Sequence, residues 1–449
     1  MINQVYKMAA PTLFVTLIGV TVRSVLFNSF VSSWLTDRVE ISTPLTSWKS
    51  MVEGLTLLER GISPYAGDTF HETPLLLYIF YYVRSFSPTL VPVMFVMVDL
   101  MTAFILHKVA TRTMKYLYNL QKREEKSYAS GVDPLLILSS DVISIPDLAM
   151  AIYLLCPYSI VTCVAQCTVV FTNLTLAATF LFTLQGNAVA ATLCLALASY
   201  QSLYPVTLIV PLAMHIAIIK MQGSQDKAVN YQSPEAVRSI MLTGAIFFFW
   251  LACLLGLSFL MLDSWGFLRS TYGCILAVPN LQPNMGLFWY FFTEMFEHFR
   301  TFFLWIFQIN VFIYIAPLAI KMREHPLFIM LVQCILIAIF KSYPSVGDTT
   351  LYLALLPIWS HTFHYFRNSL VVGVMMLLAS LLAPVLWHLW IYAGSANANF
   401  FFAFTLIYNT AQIFLVTDLV FGFLRREFAL KHGMEPLDED GNKRPIRLQ

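Results

Sequence analysis

Two polar segments of this chain carry residue types that could do chemistry. In the first segment, Glu294, Glu297 and His298 recur at intervals of three and four residues, and Arg300 follows them. A helix would place the two glutamates and the histidine on one face. Such a face could bind a metal ion or a polar headgroup, or it could lie at a membrane interface beneath the aromatic residues that precede it. A metal ion needs more converging ligands than these, so we predict no metal site.

The second segment contains small and amide-bearing residues where two long apolar runs meet. Ser395, Asn397 and Asn399 follow Trp387 and Trp390, whose indole rings are typical of a membrane interface. Their side chains can donate hydrogen bonds to phosphate or to sugar hydroxyls. They can equally cap the two helices, because amide groups near an interface need hydrogen-bond partners.

Little else in the sequence indicates catalysis. No phosphate-binding loop, dinucleotide fingerprint, G-x-S-x-G or H-E-x-x-H motif is present. The seven cysteines lie almost entirely in apolar runs without a C-x-x-C pair, so we expect neither a disulfide framework nor a zinc site. Apolar surroundings hold a thiol neutral, and only Cys274 lies where a histidine partner could be reached. We therefore expect no catalytic residue and no cofactor.

These segments belong to a very apolar chain. Of its 449 residues, 58% are apolar and only 12% are charged, against roughly 25% charged residues in soluble domains. A soluble fold of this length could not cover so much apolar surface. The composition excludes a soluble enzyme, a nucleic-acid-binding protein and a disordered scaffold. It predicts an all-α polytopic membrane helix bundle, with one integral domain over residues 1–449. A transporter would often show an internal repeat, and none is detected.

The apolar runs predict about ten to thirteen spans, several of them shorter than the ~20 residues that cross hydrocarbon. The short runs must be broken or re-entrant helices that are buried in protein. Breaks are expected among the runs that prolines punctuate, which include Pro74, Pro92, Pro157, Pro205, Pro211, Pro317 and Pro384. Arg23 lies inside the first span, where it either reaches the interface or faces a polar cavity. The glycosylation sequon at Asn173 lies inside an apolar run, so we expect no glycan there.

The few charges indicate the orientation in the membrane. The stretch from Lys108 to Lys126 has six basic and two acidic residues, which predicts that the loop at residues 108–145 is cytosolic, together with the tail at 425–449. Residues 32–73 carry an acidic excess and are predicted to form the first lumenal loop. Lys220, Lys321 and Arg323 are then candidates for binding anionic phospholipid on the cytosolic side.

The first lumenal loop contains the pattern of a short amphipathic helix at the membrane surface. Its apolar face consists of Trp48, Val52, Leu55 and Leu58. Gly61 is expected to end this helix, and Pro74 to begin the next one.

The residues that flank this helix carry a family resemblance. Gly61-Ile-Ser-Pro-Tyr65 and Glu72-Thr-Pro-Leu-Leu76 resemble the first lumenal loop of multi-spanning glycosyltransferases that use dolichol-phosphate sugars, the GPI mannosyltransferases in particular. The resemblance implies a glycosyltransferase-C-like scaffold. Those enzymes place an acidic pair ahead of the surface helix as catalytic base and metal contact. The corresponding positions here are Leu45 and Ser47, so an active glycosyltransferase, the alternative function, would depend on Glu53 alone.

Longer blocks resemble the U-subunit family of GPI transamidase (phosphatidylinositol-glycan class U). The blocks are Val39-Glu40 with Pro44-Leu45-x-Ser47-Trp48-Lys49, Phe70-His71-Glu72-Thr73-Pro74-Leu75, Ala198-x-Tyr200-Gln201-Ser202-Leu203-Tyr204-Pro205, Asn284-x-Gly286 through Phe299, Ile339 through Asp348, and Trp387 through Asn397. The match runs from the first span to the tail.

This second resemblance implies a function at the endoplasmic reticulum membrane. The transamidase joins a protein's new carboxyl end to GPI, and the peptide chemistry belongs to a separate cysteine-protease-like subunit. The chain is then expected to be a non-catalytic, multi-pass subunit that contacts other subunits and holds the GPI lipid. We expect Asn397, Asn399 and Ser395 to contact the lipid, with Glu297, His298 and Arg300 as further candidates. Recognition of the hydrophobic signal tail of the precursor stays open.

Overall fold

The computed structural model describes residues 2–222 and 230–434 of the chain. Within these residues the regular structure is helical and contains no strand, which confirms the predicted all-α class. The α-helices are α1 (Ile2–Phe27), α2 (Val31–Thr36), α3 (Trp48–Glu59), α4 (Pro74–Phe86), α5 (Leu90–Glu124), α6 (Asp141–Leu155), α7 (Pro157–Val164), α8 (Val169–Leu184), α9 (Ala188–Ser202), α10 (Ile209–Gln222), α11 (Pro234–Leu262), α12 (Gly266–Leu268), α13 (Cys274–Ala277), α14 (Phe288–Glu294), α15 (Glu297–Phe312), α16 (Ile315–Lys321), α17 (Pro326–Phe340), α18 (Thr349–Leu355), α19 (Ser369–Ile391) and α20 (Ala398–His432). Residues 435–449 of the predicted tail lie outside the described residues.

Six helical stretches in the described part are long and apolar enough to cross a membrane, or seven if the bent pair α6–α7 forms one span. Four shorter apolar helices, of 10–17 residues, accompany them. The predicted ten to thirteen spans are reached only if these shorter helices cross the membrane as well. The multi-pass architecture is confirmed.

The break between α6 and α7 follows directly from the sequence. Cys156 takes an extended conformation, as a residue before proline tends to do, and Pro157 begins α7. The two helices meet at a bend of 47°. A broken helix was predicted at this proline.

Helix α17 is the centre of the bundle. Every residue from Pro326 to Ile339 is buried, and the helix contacts α10, α15, α18 and α20. A helix that is apolar on all sides belongs in an interior, which explains why α17 has no polar face. The loop at residues 341–348 that follows α17 is buried almost throughout.

A buried ion pair fixes α1 to the rest of the bundle. Arg23 and Asp99 are 0% and 1% exposed, and an Arg23 nitrogen lies 2.5 Å from Asp99 Oδ2. Arg23 also donates to Leu154 O at 2.8 Å and to Ser159 Oγ at 2.8 Å, while the Tyr153 hydroxyl donates to Asp99 Oδ1 at 2.8 Å. The expectation that Arg23 reaches the interface or a polar cavity is wrong, since the arginine is fully paired inside the protein.

The first long loop, residues 32–73, is folded against the bundle. Helix α3 forms as predicted, and Gly61 ends it in a left-handed conformation at φ +71°, with Ile62 N bonded to Leu57 O. Its buried residues include Met51 and Leu55, which pack with side chains of α4 and α5. The apolar face of α3 is therefore covered by protein.

Candidate functional site

The turn between α19 and α20 carries the three predicted polar residues. Gly394, at φ +63°, lets the chain reverse, as the glycine in this segment suggests. Asn397 is the N-cap of α20, and its side-chain oxygen accepts a hydrogen bond from Asn399 N at 3.1 Å. Capping, the alternative considered for these residues, is therefore one real role. Ser395, Asn397 and Asn399 are all exposed, so their remaining polar atoms face away from the protein.

An aromatic cluster lies beside this asparagine turn (residues 395–399) and joins it to α14. The Tyr290 hydroxyl donates to Asn399 Oδ1, and the Tyr290 ring stacks on Phe402 at 4.5 Å. Trp289 stacks on Trp390 at 6.4 Å. Sequence reasoning treated the α14 segment and the asparagine turn as separate candidates and did not single out Tyr290, which connects them. Its position in a run of five aromatic residues, Phe288 to Phe292, was the available signal.

The predicted single helix through Glu294, Glu297 and His298 is wrong. Helix α14 ends at Glu294, Met295 and Phe296 are extended, and α15 begins at Glu297. Glu294 therefore does not share a helical face with the other two. In the described residues no group of three or more His, Cys, Asp or Glu side chains could hold a metal ion.

The segment instead places three polar side chains at the start of α15. Glu297 and His298 are exposed. Arg300 donates to Val278 O at 2.8 Å and lies 3.8 Å from Glu297 Oε2. Part of the Arg300 guanidinium is thus occupied by hydrogen bonding within the protein, whereas the Glu297 and His298 side chains are accessible.

An ion pair joins the two ends of the buried loop at residues 341–348. Lys341 Nζ lies 2.5 Å from Asp348 Oδ1, and Asp348 Oδ2 accepts the backbone N–H of Ser345 at 2.8 Å. A buried lysine needs a partner of this kind, because an unpaired charge inside protein is costly. The pair lets the chain turn without leaving backbone groups unsatisfied.

Several distant segments meet on this loop. The contacts are Ser342 N with Tyr204 Oη at 3.2 Å, Val346 N with Glu40 O at 3.0 Å, and Asn173 Nδ2 with Gly347 O at 3.1 Å. Three of the sequence blocks that carry the family resemblance therefore converge here. Asn173 is buried and its amide is occupied, so the structure agrees with the prediction of an unglycosylated sequon.

A small polar cavity lies beside the same loop. It has a volume of about 30 Å³ and is lined by Leu45, His71, Glu72 and Lys341, among others. That volume suits one or two water molecules, each needing roughly 10–15 Å³, and excludes a sugar. Leu45 therefore faces a water-sized space. Glu53 is exposed on α3 and does not line the cavity.

Glu72 is the acidic group of this cavity. Its carboxylate accepts a hydrogen bond from the Thr168 hydroxyl. Burial raises the pKa of Glu72 from 4.5 to about 7, while the hydrogen bonds from Thr168 and from Thr73 N–H oppose this shift. The folded protein therefore binds the Glu72 proton more tightly than the unfolded chain does.

This pKa shift predicts a pH-dependent stability. The stabilising contribution of Glu72 is complete below pH 4.5 and is lost as the pH rises through about 7. We expect Glu72→Gln to flatten the fall in melting temperature between pH 5 and 8, measured on detergent-purified protein. The exposed Glu53→Gln serves as the control and should leave the pH dependence unchanged. Equal pH slopes for wild type and Glu72→Gln would contradict the assignment.

The cysteines offer no activated thiol in the described residues. All seven are free: four are buried, Cys156 and Cys194 are half-buried, and Cys253 is exposed. Burial raises the pKa of Cys274 to about 11, and its hydrogen-bond partner is the Tyr343 hydroxyl at 3.8 Å. No described cysteine has a histidine among its hydrogen-bond partners.

The predicted basic residues lie at helix ends that are close in the fold. Lys220 lies in the last turn of α10, and Lys321 ends α16, which contacts α10. Arg323 follows, and its carbonyl accepts a hydrogen bond from Tyr231 at 2.6 Å. The three basic side chains are exposed.

Comparison with known proteins identifies the family. The family model described as "GPI transamidase subunit PIG-U" matches residues 17–408. A Homo sapiens protein named "GPI-anchor transamidase component PIGU" is 44% identical over 444 residues, which is 98% of this chain and 100% of that protein. A Schizosaccharomyces pombe protein named "GPI transamidase component GAB1 homolog" is 30% identical, over 91% of this chain and 92% of its own length. This chain therefore belongs to the PIG-U family of GPI transamidase subunits, and it is a multi-pass membrane component of that enzyme complex.

Proposed function

We propose that this chain is a non-catalytic subunit that binds the GPI lipid at the lumenal face of the endoplasmic reticulum membrane. It presents the lipid to the separate cysteine-protease-like subunit of the complex. The observation that carries this proposal is the exposed asparagine turn beside the aromatic cluster, tied together by the Tyr290–Asn399 hydrogen bond. Trp and Tyr rings favour the headgroup level of a membrane, so the cluster places the asparagine turn at headgroup depth.

The polar groups around this turn suit a glycolipid headgroup. Asn397, Asn399 and Ser395 are neutral and offer both donors and acceptors, as sugar hydroxyls and phosphate require. Glu297 and His298 are exposed at the start of α15, where they can accept from an amine or donate to a phosphate. Arg300 contributes positive charge, although one of its N–H groups is already bonded to Val278 O.

Neither the thiols nor the carboxylates of this chain support a catalytic role. A transamidase nucleophile must be a thiolate beside a histidine, and a buried thiol with a pKa near 11, such as that of Cys274, stays protonated. The glycosyltransferase alternative needs Glu53 as base, and no second acidic residue accompanies it at Leu45 or Ser47.

Lys220, Lys321 and Arg323 would then lie at the cytosolic end of the bundle. Exposed cations there attract the anionic lipids of the cytosolic leaflet, at about 1 kcal/mol for each residue near the surface. The segment at residues 108–145, which holds the end of α5 and the start of α6, and the segment at 425–449, which begins in the last turns of α20, are proposed to lie on the same side. The exposed apolar helix faces also offer a surface for the hydrophobic signal tail of the precursor.

A charge introduced at the asparagine turn tests the proposal. Asn397→Lys removes the oxygen that caps α20 and replaces a neutral amide by a longer cation beside the headgroup. We expect a several-fold fall in surface GPI-anchored proteins, measured by flow cytometry in cells lacking the endogenous subunit. The GPI lipids themselves, measured by mass spectrometry, should stay at or above their normal level.

Asn187→Lys is the matched control. Asn187 also caps a helix, α9, through a bond from Ala190 N at 3.1 Å. It follows the far end of α8, the helix whose N-cap residue Thr168 is bonded to Thr46 of the first long loop. If Asn187→Lys lowers surface proteins equally, the effect of Asn397→Lys reflects cap loss and not lipid binding. A fall in GPI synthesis would favour the glycosyltransferase alternative instead.

A further inference from the structure

An apolar cavity of about 570 Å³ lies between the start of the first long loop and helices α7, α19 and α20. Its lining is mostly aliphatic, with Val161, Met376 and Ala379 among the wall residues. Protein interiors rarely contain voids much larger than a water molecule. The cavity's volume lies instead within the ~300–1,000 Å³ of ligand pockets. It is large enough for an extended hydrocarbon group.

The cavity is reached from the side of the bundle. Leu377 and Leu381 line it on α19, and each is 60% exposed on the outer surface of the protein. Helix α19 is among the helices long enough to cross the membrane. An opening flanked by exposed leucines on such a helix faces the acyl chains of the bilayer.

The polar rim of the cavity carries one charge of each sign. Arg38 donates to the two carboxylate oxygens of Glu40 at 3.1 and 2.6 Å, and both residues are buried. The guanidinium has five N–H donors and uses only two of them here. Trp34 lies over Arg38, with its ring 5.0 Å from Cζ. The rim can therefore bind a phosphate through Arg38 and an ammonium through Glu40. Because the two charges cancel, the rim does not favour an anionic headgroup over a zwitterionic one.

This cavity is distinct from the asparagine turn. Its lining residues on α19 end at Pro384, and the only one on α20 is Tyr408. None of the residues 395–399 lines it.

We propose that the cavity holds one hydrocarbon chain of a zwitterionic glycerophospholipid taken from the surrounding bilayer. The chain enters past Leu377 and Leu381, and the headgroup is held by the Arg38–Glu40 pair beside Trp34. Because a bilayer is as apolar as the cavity, the favourable term is close packing against the cavity walls and not release of water. The bound lipid joins α7 to α19 as a structural component of the subunit.

Filling the cavity tests this proposal. Ala379 is fully buried in the cavity wall, so Ala379→Phe places a ring where the chain lies. Leu378→Phe is the control, since Leu378 is 44% exposed on the same helix and does not line the cavity. The transamidase complex is purified in mild detergent, and its bound lipids are counted by native mass spectrometry. Wild type and Leu378→Phe should retain one zwitterionic phospholipid that Ala379→Phe loses.

The same measurement can overturn the proposal. Equal phospholipid content in Ala379→Phe and wild type would refute a chain in this cavity. Loss of a GPI lipid in place of the phospholipid would refute the proposed source. If Ala379→Phe fails to enter the complex, Ala383→Leu gives a smaller obstruction in the same wall and must show the same loss.

The headgroup assignment has its own test. Glu40→Gln leaves Arg38 with a positive charge at the rim. The retained lipid should then change from a zwitterionic to an anionic phospholipid, while Glu53→Gln leaves the lipid class unchanged. An unaltered lipid class in Glu40→Gln would refute the role of the Arg38–Glu40 pair.

Discussion

Replacing Arg23 by methionine is expected to destabilise the protein by about 3–5 kcal/mol, the usual cost of leaving one partner of a buried ion pair unpaired. Asp99 would keep the Tyr153 hydroxyl as a donor but would lose its only cationic partner. The carbonyl of Leu154 and the hydroxyl of Ser159 would also lose the guanidinium. Thermal unfolding of the purified subunit in detergent, and its abundance in membranes, measure the loss.

The double variant Arg23→Met with Asp99→Leu decides whether the loss comes from the uncompensated charge. Buried ion pairs replaced by apolar residues of similar volume are often close to neutral in stability. We therefore expect the double variant to be more stable than Arg23→Met alone. A double variant that is no more stable than the single one would show that the loss does not come from the uncompensated charge of Asp99.

Gly347→Val is expected to disrupt the loop at residues 341–348. A Cβ atom on Gly347 would lie 2.6 Å from Val169 Cγ1 and 2.7 Å from Thr162 Cγ2, so the loop or α7 and α8 must move. Overpacking of this kind costs about 1–3 kcal/mol. The displacement would also break the bond between Asn173 and Gly347 O. We expect a lower melting temperature and less assembled complex.

Gly373→Val is the matched control for this substitution. Gly373 lies on α19 with no heavy atom within 4 Å of an added Cβ. The same change there should leave assembly intact. Adding Val169→Ala to Gly347→Val should recover part of the lost stability, and the absence of any recovery would count against steric crowding as the cause.

The features that sequence reasoning predicted correctly depend on local chemistry. The start of α4 at Pro74 and the end of α3 at Gly61 each follow from one residue's backbone preferences. Such backbone preferences can be recognised in the sequence of a membrane protein because they do not require a polar face and an apolar face. The all-α class could likewise be predicted from overall composition, without an amphipathic pattern.

The features that were missed depend on tertiary pairing. Helices such as α17 are apolar on all sides, so periodicity does not show which neighbour covers which face. The break at Met295 has neither proline nor glycine to mark it. The Tyr290–Asn399 bond joins residues 109 positions apart. The pairing of Asp99 with Arg23 could have been predicted from the sequence. A lone carboxylate in an apolar run needs a cationic partner, and Arg23 is a basic residue inside another predicted span.

The complete burial of α17 constrains the order in which the chain can be assembled during synthesis. Its covering helices lie on both sides of it in sequence, with α10 and α15 made earlier and α18 and α20 made later. Until α20 leaves the ribosome, one wall of α17 has no protein neighbour. Helix α20 therefore completes the interior of the bundle, and a chain truncated after α19 would expose α17 to recognition by membrane quality control.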